Sequence, residues 1–341
     1  MTQTIENPAP SADLPDLSAG LTREQYAAAL KTLSEGSVER HFDAFLDVDW
    51  DSEAFQIRHD DPRWVLPPNT DPLGSHPWYL ALPQERQIEI GMWRQANILR
   101  VGLQFENVLI RGIMQYVFTL PNGSPEYRYL THEATEECHH TQMFQETVNR
   151  IGIDVPGMPR WVKTLLPVIP MTASVVPVAF FIMVLSGEEP IDHTQKAILR
   201  DGHQMPPVMQ RIMEIHVAEE ARHISFAHEY LKYHAPRMGR LNRFAASIAF
   251  PIIMRAGCDL IMVPPADFRK EFDIPKSVIK ELYWKAPESR ERLAELFADV
   301  RMLAEEAGLM NRVSRVVWRL LKIDGRSSRF RGHPAPHLRA A

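Results

Sequence analysis

The octapeptide HVAEEARH places His216, Glu220 and His223 at positions i, i+4 and i+7. On a helix these share one face, so two imidazoles and a carboxylate converge as a metal-ligand set. An upstream motif has the same form. Glu136-Glu137-Cys138-His139-His140 repeats the E-E-x-x-H pattern of Glu219-Glu220-Ala221-Arg222-His223. A further carboxylate precedes each copy at the same interval: Glu106 lies 31 residues before Glu137, and Glu189 lies 31 before Glu220. Carboxylates can bridge and neutralise two cations, and imidazoles suit iron. A lone Glu or His on an apolar face reads as a core residue. Two ExxH motifs with matched upstream carboxylates read as a two-metal centre.

Those ligands must be positioned by helices. The order Glu, ExxH, Glu, ExxH is that of ferritin-like di-iron carboxylate bundles, in which all the ligands project inward. The predicted fold class is therefore all-α: a ferritin-like four-helix bundle core with a di-metal site and additional C-terminal helices. The first bundle helix, over about 84–120, carries the stripe Met92, Ala96, Leu99, Leu103, Glu106, Ile110, Ile113 and Val117. Glu106 thus falls in mid-stripe, where a lone ionised carboxylate is costly unless protonated, paired or metal-bound. The second helix, about 126–151, puts Glu137 and His140 inward, with Glu136 and His139 as their neighbours. The third is a proline-interrupted apolar run ending near Gly187. Glu189 precedes Pro190, and a residue before proline disfavours the helical region. A break is expected there, with Pro190 opening a new helix and Glu188 as the alternative ligand. The fourth, about 207–234, carries Ile212, His216, Glu220, His223, Ala227 and Tyr230 on one face. His216 is one imidazole more than the standard six-ligand set and reads either as a ligand or as a core histidine.

Around this core at about 84–234, residues 1–20 are expected to be disordered. Thr22 and Gln25 form a capping box for a short helix, and the Pro-rich stretch 37–83 is expected to wrap the bundle, pinned by Trp64, Trp78 and Tyr79. Helices are predicted over about 240–263, 275–284, 288–308 and 311–322, with a loose basic tail from Asp324. Residues 21–323 are thus read as one domain. His193 and His203 are read as surface or loop residues, while His132 and His228 lack a spacing argument.

The 341 residues are 45% hydrophobic and 24% charged, with a net charge of -5, which argues against nucleic acid as partner. Two cysteines make no disulfide framework, and a cytoplasmic location is expected. Cys138, between the ligand positions, reads as packing. Thr164–Gly187 lacks charge and is long enough to span a bilayer, but Pro167, Pro170 and Pro177 interrupt it. A buried core helix rather than a membrane span is expected. No GxGxxG or GxxxxGK[ST] loop is present, so reducing equivalents are expected from an external ferredoxin or reductase.

The stretches WRQANILRVGLQFENVLIRGIMQY, HEATEECHHTQMFQE, GEEP and HVAEEARH resemble the para-aminobenzoate N-oxygenase family of di-iron arylamine oxygenases over about residues 40–235. The resemblance implies a ferritin-like fold, a homodimer, two iron ions with dioxygen as co-substrate, and oxidation of an aromatic amine through a diferric-peroxo species. It also implies the ligands Glu106, Glu137, His140, Glu189, His216, Glu220 and His223, with His216 as the third histidine. Ligand type alone leaves manganese open. The helix face before Glu106 offers only the uncharged Ile98, Leu99, Gly102 and Leu103, and Arg94 and Arg100 lie off it. A neutral, bulkier or carrier-bound amine is therefore predicted rather than para-aminobenzoate, which wants a cationic clamp. The alternative reading is a di-iron hydroxylase or desaturase acting on C–H bonds; ferritin-type iron storage is less favoured because this chain adds a Pro-rich arm and later helices.

Overall fold

The structure is a computed structural model and describes residues 20–202, 204–329 and 331. Residues 1–19, where disorder is expected from the sequence, together with His203, Phe330 and residues 332–341, fall outside the described residues. Every regular element among them is helical. They run α1 (Arg23–Glu39), α2 (Pro77–Leu80), α3 (Gln84–Val117), α4 (Pro125–Ile151), α5 (Arg160–Leu165), α6 (Thr172–Val175), α7 (Pro177–Asp201) and α8 (Pro207–His234). There follow α9 (Arg240–Met262), α10 (Ala266–Glu271), α11 (Lys276–Lys280), α12 (Pro287–Leu296), α13 (Ala298–Glu306) and α14 (Arg312–Leu320).

Helices α3, α4, α7 and α8 form the four-helix core, with α1 against α4 and α8 and α9 against α7. The local signals explain the boundaries. Thr22 and Gln25 close the capping box of α1. Proline begins α4, α7 and α8, where its missing N–H costs nothing. Gly152 ends α4 in the left-handed region at φ 73°. Trp50, Trp64, Leu66, Leu73 and Tyr79 of the stretch before α3 are buried in one apolar cluster with Trp93 of α3 and Met143 of α4.

Two expectations are corrected. Pro190 does not open a new helix: α7 continues through it from Pro177 to Asp201. Proline removes one amide donor and disfavours helix at Glu189, but residues 184–190 are all buried, so packing overrides the local preference. The apolar stretch 164–187 is not one helix: the end of α5, a 3-10 turn at Ile169–Met171 and the short α6 come before Pro177, where α7 begins. By length and composition alone, the stretch able to cross a membrane among the described residues is Arg240–Glu271, which takes in α9 and α10, at mean hydropathy 1.6. The start of the tail is anchored: Ser328 N–H donates to Ala298 O at 3.1 Å, and Arg331 donates to Ala221 O at 3.2 Å.

Candidate metal centre

The centre begins with α4 and α8, whose E-E-x-x-H motifs face one another. Glu137, His140, Glu220 and His223 are all buried, with one potential ligand atom from each lying within 4.8 Å of the others. His140 Nδ1 is 3.3 Å from Glu137 Oε2 and 3.6 Å from Glu220 Oε1. His223 Nδ1 is 3.4 Å from Glu220 Oε1. It is also 2.9 Å from Glu137 Oε1, and neither of these two atoms has a hydrogen-bond partner. Both imidazoles thus present Nδ1 to one centre.

Their other nitrogens are held in a crossed arrangement. Glu219 of α8 meets His140 Nε2 of α4 at 2.8 Å, and Glu136 of α4 meets His223 Nε2 of α8 at 2.8 Å. The first carboxylate of each doublet therefore holds the histidine of the opposite motif. A carboxylate on the outer nitrogen fixes the ring and leaves the inner one free as a ligand. Arg222 donates to Glu136 at 2.9 Å, and the Phe42 N–H donates to Glu219 at 3.0 Å, so the segment after α1 is tied to this outer layer. Sequence reading left Glu136 as a mere neighbour of the ligands and gave Glu219 no role. The doubled Glu in both motifs was the available signal.

Helix α3 contributes Glu106, whose Oε1 is 3.4 Å from His216 Nε2. Glu106, His140 and His216 form a second close group. His216 Nδ1 lies 2.9 Å from Gln195 Oε1 of α7. An amide oxygen there accepts from Nδ1–H, which leaves the Nε2 lone pair directed at Glu106. The geometry brings His216 into the cluster.

From α7 the inward carboxylate is Glu188 and not Glu189. Glu188 lines the central cavity and neither of its oxygens has a hydrogen-bond partner. Glu189 is buried elsewhere, with His228 Nε2 2.5 Å from its Oε1. Since α7 runs unbroken through Pro190, adjacent residues point about 100° apart, and only one can face inward. The matched 31-residue interval pointed to Glu189 with Glu188 as the alternative; packing of α7 sets its rotation and turns Glu188 toward the cavity. His228, which had no spacing argument, is the buried partner of Glu189. His193 is exposed on α7, and Cys138 is also exposed rather than packed.

Burial and mutual repulsion push the Glu106 carboxyl well above its ordinary range, with Glu137 the chief repelling neighbour. Glu188 is raised by burial and by Glu220 and Glu133. Glu133, one turn before Glu137 on α4, is pushed up to about 8 by burial and by Glu137, despite the opposing pull of His223. Burial alone would lower His140, but its contacts with Glu137 and Glu219 carry it well above the usual imidazole value. His216 is lowered by burial and by the nearby His140. This many acids cannot all ionise in a dry space without cations. The donor chemistry fits metal: Glu106 Oε2, Glu137 Oε1, Glu188 Oε1 and Oε2, and Glu220 Oε2 are buried without partners. Four inward carboxylates balance the charge of two divalent ions, and carboxylate with imidazole suits iron or manganese.

These groups border a cavity of about 50 Å³. Its other walls include Ile98, Leu99, Phe105, Leu109, Phe144 and Ile261, and no lysine or arginine lines it. Arg94 is buried away from it, against Asp71 at 2.5 Å and the Tyr283 hydroxyl at 3.1 Å. Arg100 bonds Gln145 at 2.5 Å.

Comparison with known proteins adds an independent finding. The family described as P-aminobenzoate N-oxygenase AurF matches residues 23–308. The chain is 60% identical over 318 residues to Uncharacterized protein Mb0909 of Mycobacterium bovis, covering 93% of each chain. It shows the same identity and coverage with Uncharacterized protein Rv0885 of Mycobacterium tuberculosis.

Proposed function

We propose, for a chain that belongs to the AurF family of p-aminobenzoate N-oxygenases, that it uses two irons and dioxygen to oxidise the nitrogen of a neutral aromatic amine. The observation that carries this reading is the ring of carboxylates with partnerless buried oxygens, together with three directed imidazoles, on a cavity whose remaining walls are mainly apolar. Glu106, Glu137, His140, Glu188, His216, Glu220 and His223 would hold the metals. These residues would hold a reduced iron pair, whose chemistry would be electron transfer to dioxygen. The protein's own part is positioning and exclusion of water. Glu136, Glu219 and Gln195 orient the imidazoles, while Phe105, Phe144 and Leu99 keep the amine in a dry space.

Inserting one oxygen atom at nitrogen and releasing the other as water takes two electrons and two protons per turnover. An external ferredoxin or reductase supplies the electrons in this proposal, since no nucleotide-binding loop is present in the sequence. The uncharged lining favours a neutral substrate over a benzoate. A homodimer, as the sequence resemblance implies, is supported by the exposed Leu241, Phe244 and Ile252 on α9, and a cytoplasmic location by two cysteines that are both free.

The test is a single turnover. Protein loaded anaerobically with iron(II) receives labelled dioxygen and a panel of neutral arylamines, and products are weighed by mass spectrometry. Label on nitrogen is the expected result. Label on carbon would transfer the assignment to a hydroxylase, and failure to bind a stoichiometric pair of irons would sink the metal assignment itself.

A further inference from the structure

The central cavity, at about 50 Å³, is far below the roughly 150 Å³ of an apolar cavity that takes up benzene. An aryl ring enters only if part of the wall moves. Most of the wall cannot move cheaply, because α3, α4, α7 and α8 are packed against one another along the core. The side made by Phe105 and Ile261 differs. It is backed by a small cluster of its own, built on Val101, Met158 and Val162 with Leu166 and Leu260.

Met158, Val162 and Leu166 come from α5 and its flanks. Within α5, Val162 is the one buried residue, and Trp161 and Leu165 face outward. Hydrogen bonds fasten the segment at its ends: Gly157 N–H to Asn97 Oδ1 at 2.9 Å, Met158 N–H to Gln104 Oε1 at 2.8 Å, and Arg111 to Leu166 O at 3.4 Å. A short element with few buried apolar contacts opens at low cost compared with the core.

Phe105 stands between this segment and the cavity. Its ring rests on Gly187, where a Cβ would come within 2.2 Å of the ring. The ring therefore lies directly on the α7 backbone beside Glu188. The other cavity phenylalanine, Phe144, is fixed in the core, its ring 5.2 Å from that of His216.

We propose that Phe105, seated against Gly187 and backed by Val162 of α5, is the gate of the cavity and the residue that sets the size of ring it accepts. Outward movement of the ring with α5 enlarges the space beside Glu188 and opens a path past α5. This rests on the aromatic-amine reading above and adds the entry route and the size limit.

The test is binding, without oxygen or turnover, of aniline and 4-aminobiphenyl to the full-length protein by calorimetry and stopped-flow fluorescence. Wild type is expected to bind aniline and discriminate against 4-aminobiphenyl by about tenfold or more. Phe105→Ala removes that discrimination. Val162→Ala, which does not touch the cavity, is expected to speed aniline association about tenfold by weakening the backing of the gate. It leaves the ratio of the two affinities unchanged. A folded Phe105→Ala protein with unaltered size discrimination overturns the proposal. So does unaltered association in Val162→Ala, which keeps the question decidable if Phe105→Ala does not fold. Wild type that takes up two irons but binds neither amine overturns the amine reading and the gate with it. Binding of both amines, unaffected by either variant, overturns the gate alone.

Discussion

The two halves of the metal centre are built differently. On the α4–α8 side, His140 and His223 are each clamped from outside by Glu219 and Glu136, which are themselves held by Phe42 N–H and Arg222. On the α3–α7 side, Glu106 Oε2 and both oxygens of Glu188 have no hydrogen-bond partner. One half fixes where the metals sit. The other presents carboxylates free to change their mode of contact as the charge at the centre changes, a division that suits redox chemistry.

The comparison breaks most sharply at the acids shared by the close group. Glu137→Ala or Glu220→Ala should abolish binding of the metal pair, read as iron per chain by elemental analysis after gel filtration. Glu188→Gln should cost about one metal of the pair, because one charged donor of the set becomes neutral. Glu189→Gln should retain both metals, and equal losses from the two variants would refute the assignment of Glu188. The clamp is next in size: Glu219→Gln or Glu136→Gln should weaken metal affinity about 10- to 100-fold in chelator competition. Gln195→Leu should act in the same direction through His216 alone, and more weakly.

The smallest expected effect is on the stability of chelator-stripped protein. Glu106, Glu188, Glu133, His140 and His223 hold protons more tightly when folded than their ordinary values imply. Their contribution is present below the unfolded values and lost as pH rises through the folded ones. His216 is shifted the other way, but above its ordinary value of 6.5 it is neutral in both states. Between that pH and about 8, where Glu133 titrates, the thermal midpoint of stripped protein should fall. Metal-loaded protein should lack this fall, and identical slopes would show that the cluster does not hold the metal.

Much of this molecule was legible in residue types and spacing. Period-3.6 stripes gave α3, α4 and α8 within a few residues, because long apolar faces leave few alternatives. Glu106, Glu137, Glu220, His140 and His223 were identified because each sits where an unpaired polar group would be costly on an apolar stripe or within a repeated ExxH. His216 was visible in position but not in role. What spacing could not settle was rotation. Whether Glu188 or Glu189 faces inward depends on how α7 is turned by its contacts with α8 and α9, and Pro190 pointed the local argument toward a break that packing suppresses. The crossing of Glu136 to His223 and Glu219 to His140 likewise depends on α4 and α8 lying face to face. The cavity gate joins residues 105, 162 and 187, which no local pattern relates. Sequence alone determined which side chains need a partner within the fold; tertiary packing decided which partner each one meets, because that choice depends on helix rotation and close approach between distant segments.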